Sequence, residues 1–370
     1  MKITISKQIF QEKINRASRF SFTKVSSSSF LHGGLLKFHK NRLEITTTNL
    51  NDFFYTSVPI EKVEKHECVV DIKKIGEFLS FISSDDLILE IKDTILLISS
   101  DKTTGSFPLI SSEDFPKLPS IEGREYSFQK DFFDTILPLV LFATSSDEAR
   151  PILTGVNFSF RDGQKYIAAT DGFRLSLYIQ EEKNPFPEIT ISSQVLSELM
   201  RMKLKTIKMT CSEKEKIVVF SHNEDHIFSR IIDGDFPPYE KVIPTECVTK
   251  VVVNREQFLR NVKLSSVFAR DFSHIILLHL QKDGIMIKPR TKEDGGTVIH
   301  QIAEIEGPEQ KIAFNYKFVL DFLNGAQSET VIFEMVKSSA PSVFRIPNKK
   351  DFLHIIMPVR TDEEEELEGK

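Results

Sequence analysis

Residues 7–20 read KQIFQEKINRASRF, and the pattern returns twice, as FQKDFFDTILPLVLFA at 128–143 and NREQFLRNVKLSSVFAR at 254–270. In the first copy Phe10, Ile14 and Ala17 fall at i, i+4 and i+7, one apolar stripe of a helix. Phe258, Val262 and Ser265 repeat that spacing in the last copy. A second helical pattern recurs between them: DIKKIGEFLSFI (71–82), SSQVLSELMRM (192–202) and FNYKFVLDFLNG (314–325). The copies lie about 120 residues apart, a spacing of whole domains and longer than a solenoid repeat. The triplet Asp-Phe-Pro ends two of the units alike, within 113–119 and 234–244.

Between the helices the pattern is mostly period two and rich in β-branched residues, as in LEITTTN, DLILEIKDTILLISS, KIVVF and HIILLHLQKDGIMIKPR. Turn signals such as Arg161-Asp162-Gly163-Gln164 and Lys282-Asp283-Gly284 separate the runs. Helix, strands, helix, strands, without βαβ alternation, predicts an α+β fold with mainly antiparallel sheets. The Pro-bearing stretches 115–125 and 236–248 read as linkers. They set expected domains at 1–122, 123–247 and 248–360, with a tail at 361–370.

Composition narrows the class. Hydrophobic residues make up 40% and charged residues 27% of the 370, an ordinary globular balance that excludes global disorder. No apolar run is long enough to span a bilayer, and MKITISKQIF lacks the apolar block of a secretory leader, so a cytoplasmic location is expected. Cys68, Cys211 and Cys247 are far apart, which fits a reducing compartment and leaves no thiolate cluster for zinc. The net charge of −5 sits in the tail, DEEEELEGK at 362–370, expected to be solvated and disordered. The remaining body is near neutral, and a neutral body can still present a basic face.

Catalytic signatures are scarce. A phosphate loop, a dinucleotide-binding glycine pattern and a nucleophile elbow are all missing. His222 and His226 flank Asn223-Glu224-Asp225, but the stretch reads as a hairpin tip, where the pair would not share a helix face; no metal and no cofactor are expected. Asp85-Asp86 reads as a solvated loop with no apolar pocket to tune a carboxylate.

Cations recur on the helical patterns: Lys13 and Arg16 on the first, Arg260 and Lys263 on its last copy. The second pattern carries Lys73 and Lys74, then Arg201 and Lys203, then Lys317. The middle copy of the first pattern is weaker, with Asp131 and Asp134 against Lys130. Taken singly, each cation reads as a solvated charge. Their return at equivalent places points to a common surface that meets phosphates without reading bases.

The middle third is more specific. Arg150-Pro151-Ile152-Leu153-Thr154-Gly155-Val156 is followed by Ala168-Ala169-Thr170-Asp171-Gly172-Phe173-Arg174-Leu175, then by Asp235-Phe236-Pro237-Pro238-Tyr239 and, near the end, Met357-Pro358-Val359-Arg360. This set resembles the β subunit of bacterial DNA polymerase III, the β sliding clamp family, over nearly the whole chain. The resemblance implies three similar clamp domains and no catalytic activity. It implies a homodimeric ring, helices inside and antiparallel sheets outside, that encircles duplex DNA. The ring would act as a processivity factor, tethering the replicative polymerase and the clamp loader through linear peptide motifs.

The resemblance also implies a partner-peptide pocket between the second and third domains. Its walls would be Leu153, Thr170, Gly172 and Leu175, with Pro237 and Val242, and with Ser342, Ile355, Met357, Pro358 and Val359. Arg174, Lys241 and Arg360 would sit at the rim. Apolar walls with a pliant methionine suit Leu or Phe anchors of a partner. Read without the resemblance, Leu153, Thr170 and Leu175 would be β-domain core. Arg150 matches a position expected to meet DNA at the ring's face; the plain reading pairs it with Asp147 or Glu148. The implied dimer contact places Gly105, Phe107 and Leu109 of one copy against Arg270 and Phe272 of the other. The chain departs from the family at Phe173, a further pocket position where a histidine is common and where phenylalanine would make the subsite greasier, in the short connection 268–274, and in the acidic tail beside the pocket. Two other readings compete: a zinc hydrolase built on His222, Glu224 and His226, and a β-rich scaffold that binds only proteins.

Overall fold

Helix α1 (Lys7–Ser18) starts directly after the strand Lys2–Ser6 and buries the stripe of Phe10, Ile14 and Ala17. Helix α2 (Ile72–Ser80) is capped by Asp71, whose carboxylate accepts from the Lys74 amide, an orphan donor of the first turn. The corresponding caps are Asn254 on α5 (Arg255–Ala269) and Asn315 on α6 (Tyr316–Gly325). The same strand–cap–helix step thus recurs in the first and last thirds.

The middle third departs from its predicted helix over 128–143. Residues Arg124–Gln129 form a strand, and helical backbone then runs from Lys130 through one wide π turn, Phe132–Ile136, into α3 (Leu137–Leu141). Pro138 lacks an amide hydrogen and cannot donate to the preceding turn, and it sits in the first turn of α3, where that loss is tolerated. Helix α4 (Ser193–Arg201) follows the strand Ile189–Ser192. The helices pack in sequential pairs, α1 with α2, α3 with α4 and α5 with α6.

The structure is a computed structural model that describes residues 1–22, 32–291 and 297–360; the acidic tail lies outside the described residues. The chain forms two compact units. The first combines Met1–Lys130 with Met202–Ile231, and the second combines Asp131–Arg201 with Ile232–Lys370.

In the first unit, Lys2–Ser6, Asp86–Lys92, Ile95–Ser100 and Thr103–Pro108 make a four-stranded sheet in that order. A second sheet runs Gly33–Thr48, Asp52–Asp71, Asp225–Arg230, Ile217–His222, Thr206–Ser212, Arg124–Gln129. Its seam is the antiparallel pairing of Asp52–Asp71 with Asp225–Arg230, which sets Phe228 opposite Phe53. Helix α1 lies against Gly33–Thr48 and Asp52–Asp71, where the buried Thr47 hydroxyl donates to the Ala17 carbonyl (2.7 Å).

In the second unit, a nine-stranded sheet holds Ile189–Ser192, Gly155–Arg161, Gln164–Thr170 and Arg174–Glu181 beside Phe352–Ile356, Ser342–Arg345, Thr330–Met335, Thr249–Asn254 and Ala303–Glu306. Here the seam is Arg174–Glu181 against Phe352–Ile356. A smaller sheet contains Ile299–Gln301, Gly284–Pro289, Ile275–Gln281 and Gln310–Asn315. Every pairing is antiparallel, as α+β predicts. The core of this unit centres on Phe344, whose ring meets Phe314, Phe322 and Phe333 at 5.3–5.7 Å. With no tryptophan in the chain, phenylalanine supplies the large apolar surface.

Candidate functional site

The second unit's seam collects much of the predicted pocket. Antiparallel register sets Leu175 opposite both Thr170 and Ile355. Directly opposed residues share a face, so these three line one side of the sheet. Phe236, Tyr239 and Ile243 cover that side, packing on Leu175, Leu177, Val343 and Ile355. The covering strap leaves Pro237, Lys241 and Val242 exposed. Met357 continues beyond Ile355, its amide bound to the Phe173 carbonyl (2.9 Å), and it stays half-buried with Pro358 and Val359. The seam therefore has a buried floor of Leu175 and Ile355 and a partly open margin of Met357, Val242 and Phe173.

The turn at its mouth is held by charge. The Asp171 carboxylate accepts from the Phe173 and Arg174 amides and from the Arg174 side chain. Gly172 sits at φ +94, a conformation costly for any residue with a Cβ. Arg150 stands over this turn, donating to the Asp171 carbonyl (3.2 Å) and pairing with Asp147 (3.3 Å), as the plain reading had it. Phe173 projects outward, 59% exposed.

Several predicted wall residues take other places. Ser342 lies opposite Ile356, on the far face of the sheet, and is fully buried. Arg174 also turns to that face. It is a buried tie and not a free rim cation, bonding Asp171 (3.0 Å) and Asp321 (2.5 Å) and stacking on Phe318 (4.6 Å). Leu153 is buried in the turn Pro151–Thr154. Strand alternation decides Ser342 and Arg174, since a one-residue step changes the face.

On the same far face His354 is wholly buried. It shares a hydrogen bond with Ser176 (2.8 Å) and lies stacked on Phe322 (5.6 Å). Burial, aided by the Arg174 charge, pushes its pKa down to about 3.

The helix cations divide in two. Lys13 and Arg16 are engaged elsewhere: both bind the Asp225 carboxylate, which is 3% exposed and also accepts from Thr56 (2.5 Å). They therefore fasten α1 to the strand Asp225–Arg230. Lys73, Lys74, Arg201, Lys203, Arg260, Lys263 and Lys317 are exposed. Of these, Lys74 pairs with the half-buried Asp71 (3.5 Å) and Arg201 with the buried Glu198 (2.5 Å), while both cations keep most of their own side-chain surface in solvent. His222 and His226 serve separate bonds, to the Thr206 carbonyl (2.8 Å) and the Ser221 hydroxyl (2.9 Å). Among the described residues no three metal-ligating side chains cluster.

At the expected dimer contact, Phe107 is buried against Phe78 (5.5 Å) and offers no ring to a partner. Gly105 leaves the room those rings need, since a Cβ there would fall 2.9 Å from both. Leu109 is half-buried, its amide bound to the Thr94 carbonyl. Arg270 and Phe272 are exposed. The connection 268–274 closes tightly, with the amides of Phe272, Ser273 and His274 all donating to the Ala269 carbonyl. Leu264, Val267 and Phe268 add a second, exposed stripe on α5 that the sequence reading missed. Their spacing beside the buried 258, 262, 265, 269 stripe was the available signal. Phe81, 81% exposed, is a further missed apolar residue in the first unit.

Comparison with known proteins bears directly on this arrangement. The central-domain model of the DNA polymerase III beta subunit matches residues 127–238, and its C-terminal-domain model matches residues 240–360. The chain belongs to the bacterial DNA polymerase III β-subunit family, the β sliding clamps. A beta sliding clamp of Halalkalibacterium halodurans is 25% identical, covering 98% of this chain and all of that relative. One from Bacillus subtilis is 27% identical over 79% of this chain and 80% of its own. Among solved structures, the DNA polymerase III beta subunit of Thermotoga maritima shares the fold at a TM-score of 0.90, with 24% identity, covering 97% of this chain and 99% of that one. The Bacillus subtilis sliding clamp superposes at 0.89, with 24% identity, over 98% and 99%. A sliding clamp is a non-catalytic subunit of replication, consistent with a site made of apolar margins and cations. No described helix is long and apolar enough to cross a membrane.

The clamp site contains two groups that the sequence reading did not single out. Asp171 and Asp321 hold Arg174, and Arg161 holds the strap by pairing with Glu240 (2.5 Å) and lying over Tyr166 (4.2 Å). Asp171 lies within the quoted TDGFRL motif, so its role had a local signal; Asp321 and Arg161 had none.

Proposed function

We propose that two copies of this clamp close head to tail into a ring around duplex DNA, each copy built of three clamp domains at 1–122, 123–247 and 248–360. The observation that carries the reading is the recurrence of exposed cations, Lys73, Lys74, Arg201, Arg260, Lys263 and Lys317, on helices whose opposite faces are buried in the sheets, with Lys203 in the turn just past α4. Such cations meet phosphates one at a time and weakly, so the protein holds no register and can slide. Enclosure then supplies retention. Phe272 and Arg270, with the exposed α5 stripe, supply the contact to the partner copy, and the strand Thr103–Pro108, paired on one side only among the described residues, receives it. Loading onto nicked circular DNA by a clamp loader tests the ring: the protein should stay on circles and leave when they are linearised. Equal retention on both forms would sink it.

The replicative polymerase and the loader bind through linear peptides at the seam of Thr170, Leu175, Ile355, Met357 and Val242. An extended segment lays apolar anchors on the half-buried margin while Lys241 and Arg360 face its polar groups. Val242 is 40% exposed, so Val242→Glu separates binding from folding. Affinity for a Leu/Phe-anchored peptide should fall roughly tenfold or more. Unfolding free energy should stay within about 0.5 kcal/mol of the parent. Titration calorimetry and urea denaturation read the two. Unchanged affinity would remove Val242 from the pocket.

A further inference from the structure

The first unit carries a cleft of about 470 Å³ at its own sheet seam, a volume suited to a few side chains. Phe53 and Phe228, directly opposed across the seam, form part of its lining, with Leu50, Ile217, Pro116 and Pro119. The two prolines belong to the first Asp-Phe-Pro stretch. Phe115 of that stretch is buried against Leu35 and Val69, just as Phe236 of the second stretch packs on Leu175 and Ile355. Each unit thus has a cross-strand apolar pair at its seam, flanked by an Asp-Phe-Pro strap whose phenylalanine is anchored and whose proline edges the opening.

Leu50 marks the cleft as built. Its φ is +76, a region an aliphatic residue rarely enters, and it is 47% exposed. The surrounding turn holds it there. Its amide donates to the Thr48 hydroxyl (2.9 Å), the amides of Asn51 and Asp52 donate to the Asn49 side chain (3.0 and 2.7 Å), and the Arg230 amide donates to the Asn51 carbonyl (3.3 Å). Lys117 and Arg230 complete the lining, both exposed and neither ion-paired among the described residues. Asp52, the carboxylate of this turn, is buried and turned to Asn49 and Ser229.

We infer that this cleft is a second peptide-docking site, taking an extended segment of a partner protein that carries a large apolar anchor next to acidic residues. The anchor seats between Leu50 and the Phe53–Phe228 pair, and the acids face Lys117 and Arg230. The inference extends the proposed function to another site and does not depend on the first pocket being occupied.

A dye-labelled peptide, Gly-Asp-Leu-Phe-Asp-Gly-Ser, provides the probe, read by fluorescence anisotropy on the full chain. Leu50→Asn removes the anchor contact while suiting the positive φ, and Lys117→Glu reverses an exposed charge, so both variants keep the fold; thermal melting checks this. Saturable binding that weakens roughly tenfold in each variant, weakens with added salt, and persists in Val242→Glu supports the cleft. Binding lost in Val242→Glu places the probe in the first pocket and overturns the second site. So does binding indifferent to Leu50→Asn and Lys117→Glu, or no saturation by about 1 mM. Because Val242→Glu reports only on the first pocket, failure of the cleft leaves the proposed function standing.

Discussion

Between pH 7 and 5 the protein should lose stability, and His354 should account for roughly 2 kcal/mol of the loss. In the fold this imidazole is wholly buried, shares one hydrogen bond with Ser176, and has no partner for Nε2 among the described residues. Burial first, and the Arg174 charge second, bring its pKa from 6.5 down to about 3. The unfolded chain therefore binds a proton near pH 6.5 that the folded chain refuses until about pH 3. Stability conferred by the neutral ring is whole above 6.5 and declines as pH falls, by about 1.4 kcal/mol per unit inside that window. Urea denaturation at pH 7, 6 and 5 reads the slope. The pair His354→Phe with Ser176→Ala fills the same space without a titrating group, and its slope should be shallower by that amount. An identical slope in the double variant would mean that other groups carry the pH dependence.

Asp225→Ala should destabilise the first unit by about 2–4 kcal/mol, the range for leaving partly buried cations without their counter-charge. The Asp225 carboxylate is 3% exposed and receives Lys13, Arg16 and Thr56, while the two cations keep 17% and 23% of their side-chain surface. That residual exposure places the expected loss below that of a fully buried triad. Burial by itself would raise the Asp225 pKa; hydrogen bonds from Lys13 and Thr56, with the Lys13 and Arg16 charges, outweigh it and hold the value below 3.8. The sign follows: this stabilisation is complete above pH 3.8 and disappears only as pH falls through the lower folded value. Asp225→Asn keeps the shape and removes the charge, so it should lose nearly as much as alanine. A loss under about 0.5 kcal/mol in both would show that the pair is no more than a surface contact.

The same cluster explains a limit of reading cations from helical spacing. Lys13 and Arg16 lie off the apolar stripe of α1 exactly as Arg260 and Lys263 lie off that of α5. Whether such a residue is free depends on what another strand brings beside it, and Asp225 comes from a part of the chain more than 200 positions away. Likewise Arg174 and Leu175 are adjacent in the motif, yet register sends one to a carboxylate pair and the other to the seam floor.

The amino-acid order alone determined five of the six helices to within a few residues, the α+β class and the motif set of the clamp family. These follow from period and local chemistry: apolar spacing, capping residues and turn formers act within a few positions of themselves. Only the tertiary structure decided which wall residues are floor and which are margin, that Phe107 is core, that α5 bears a second exposed stripe, and that Phe53 and Phe228 meet over a cleft. Each of those rests on a strand register joining distant segments, and a shift of one residue would turn every side chain to the opposite face.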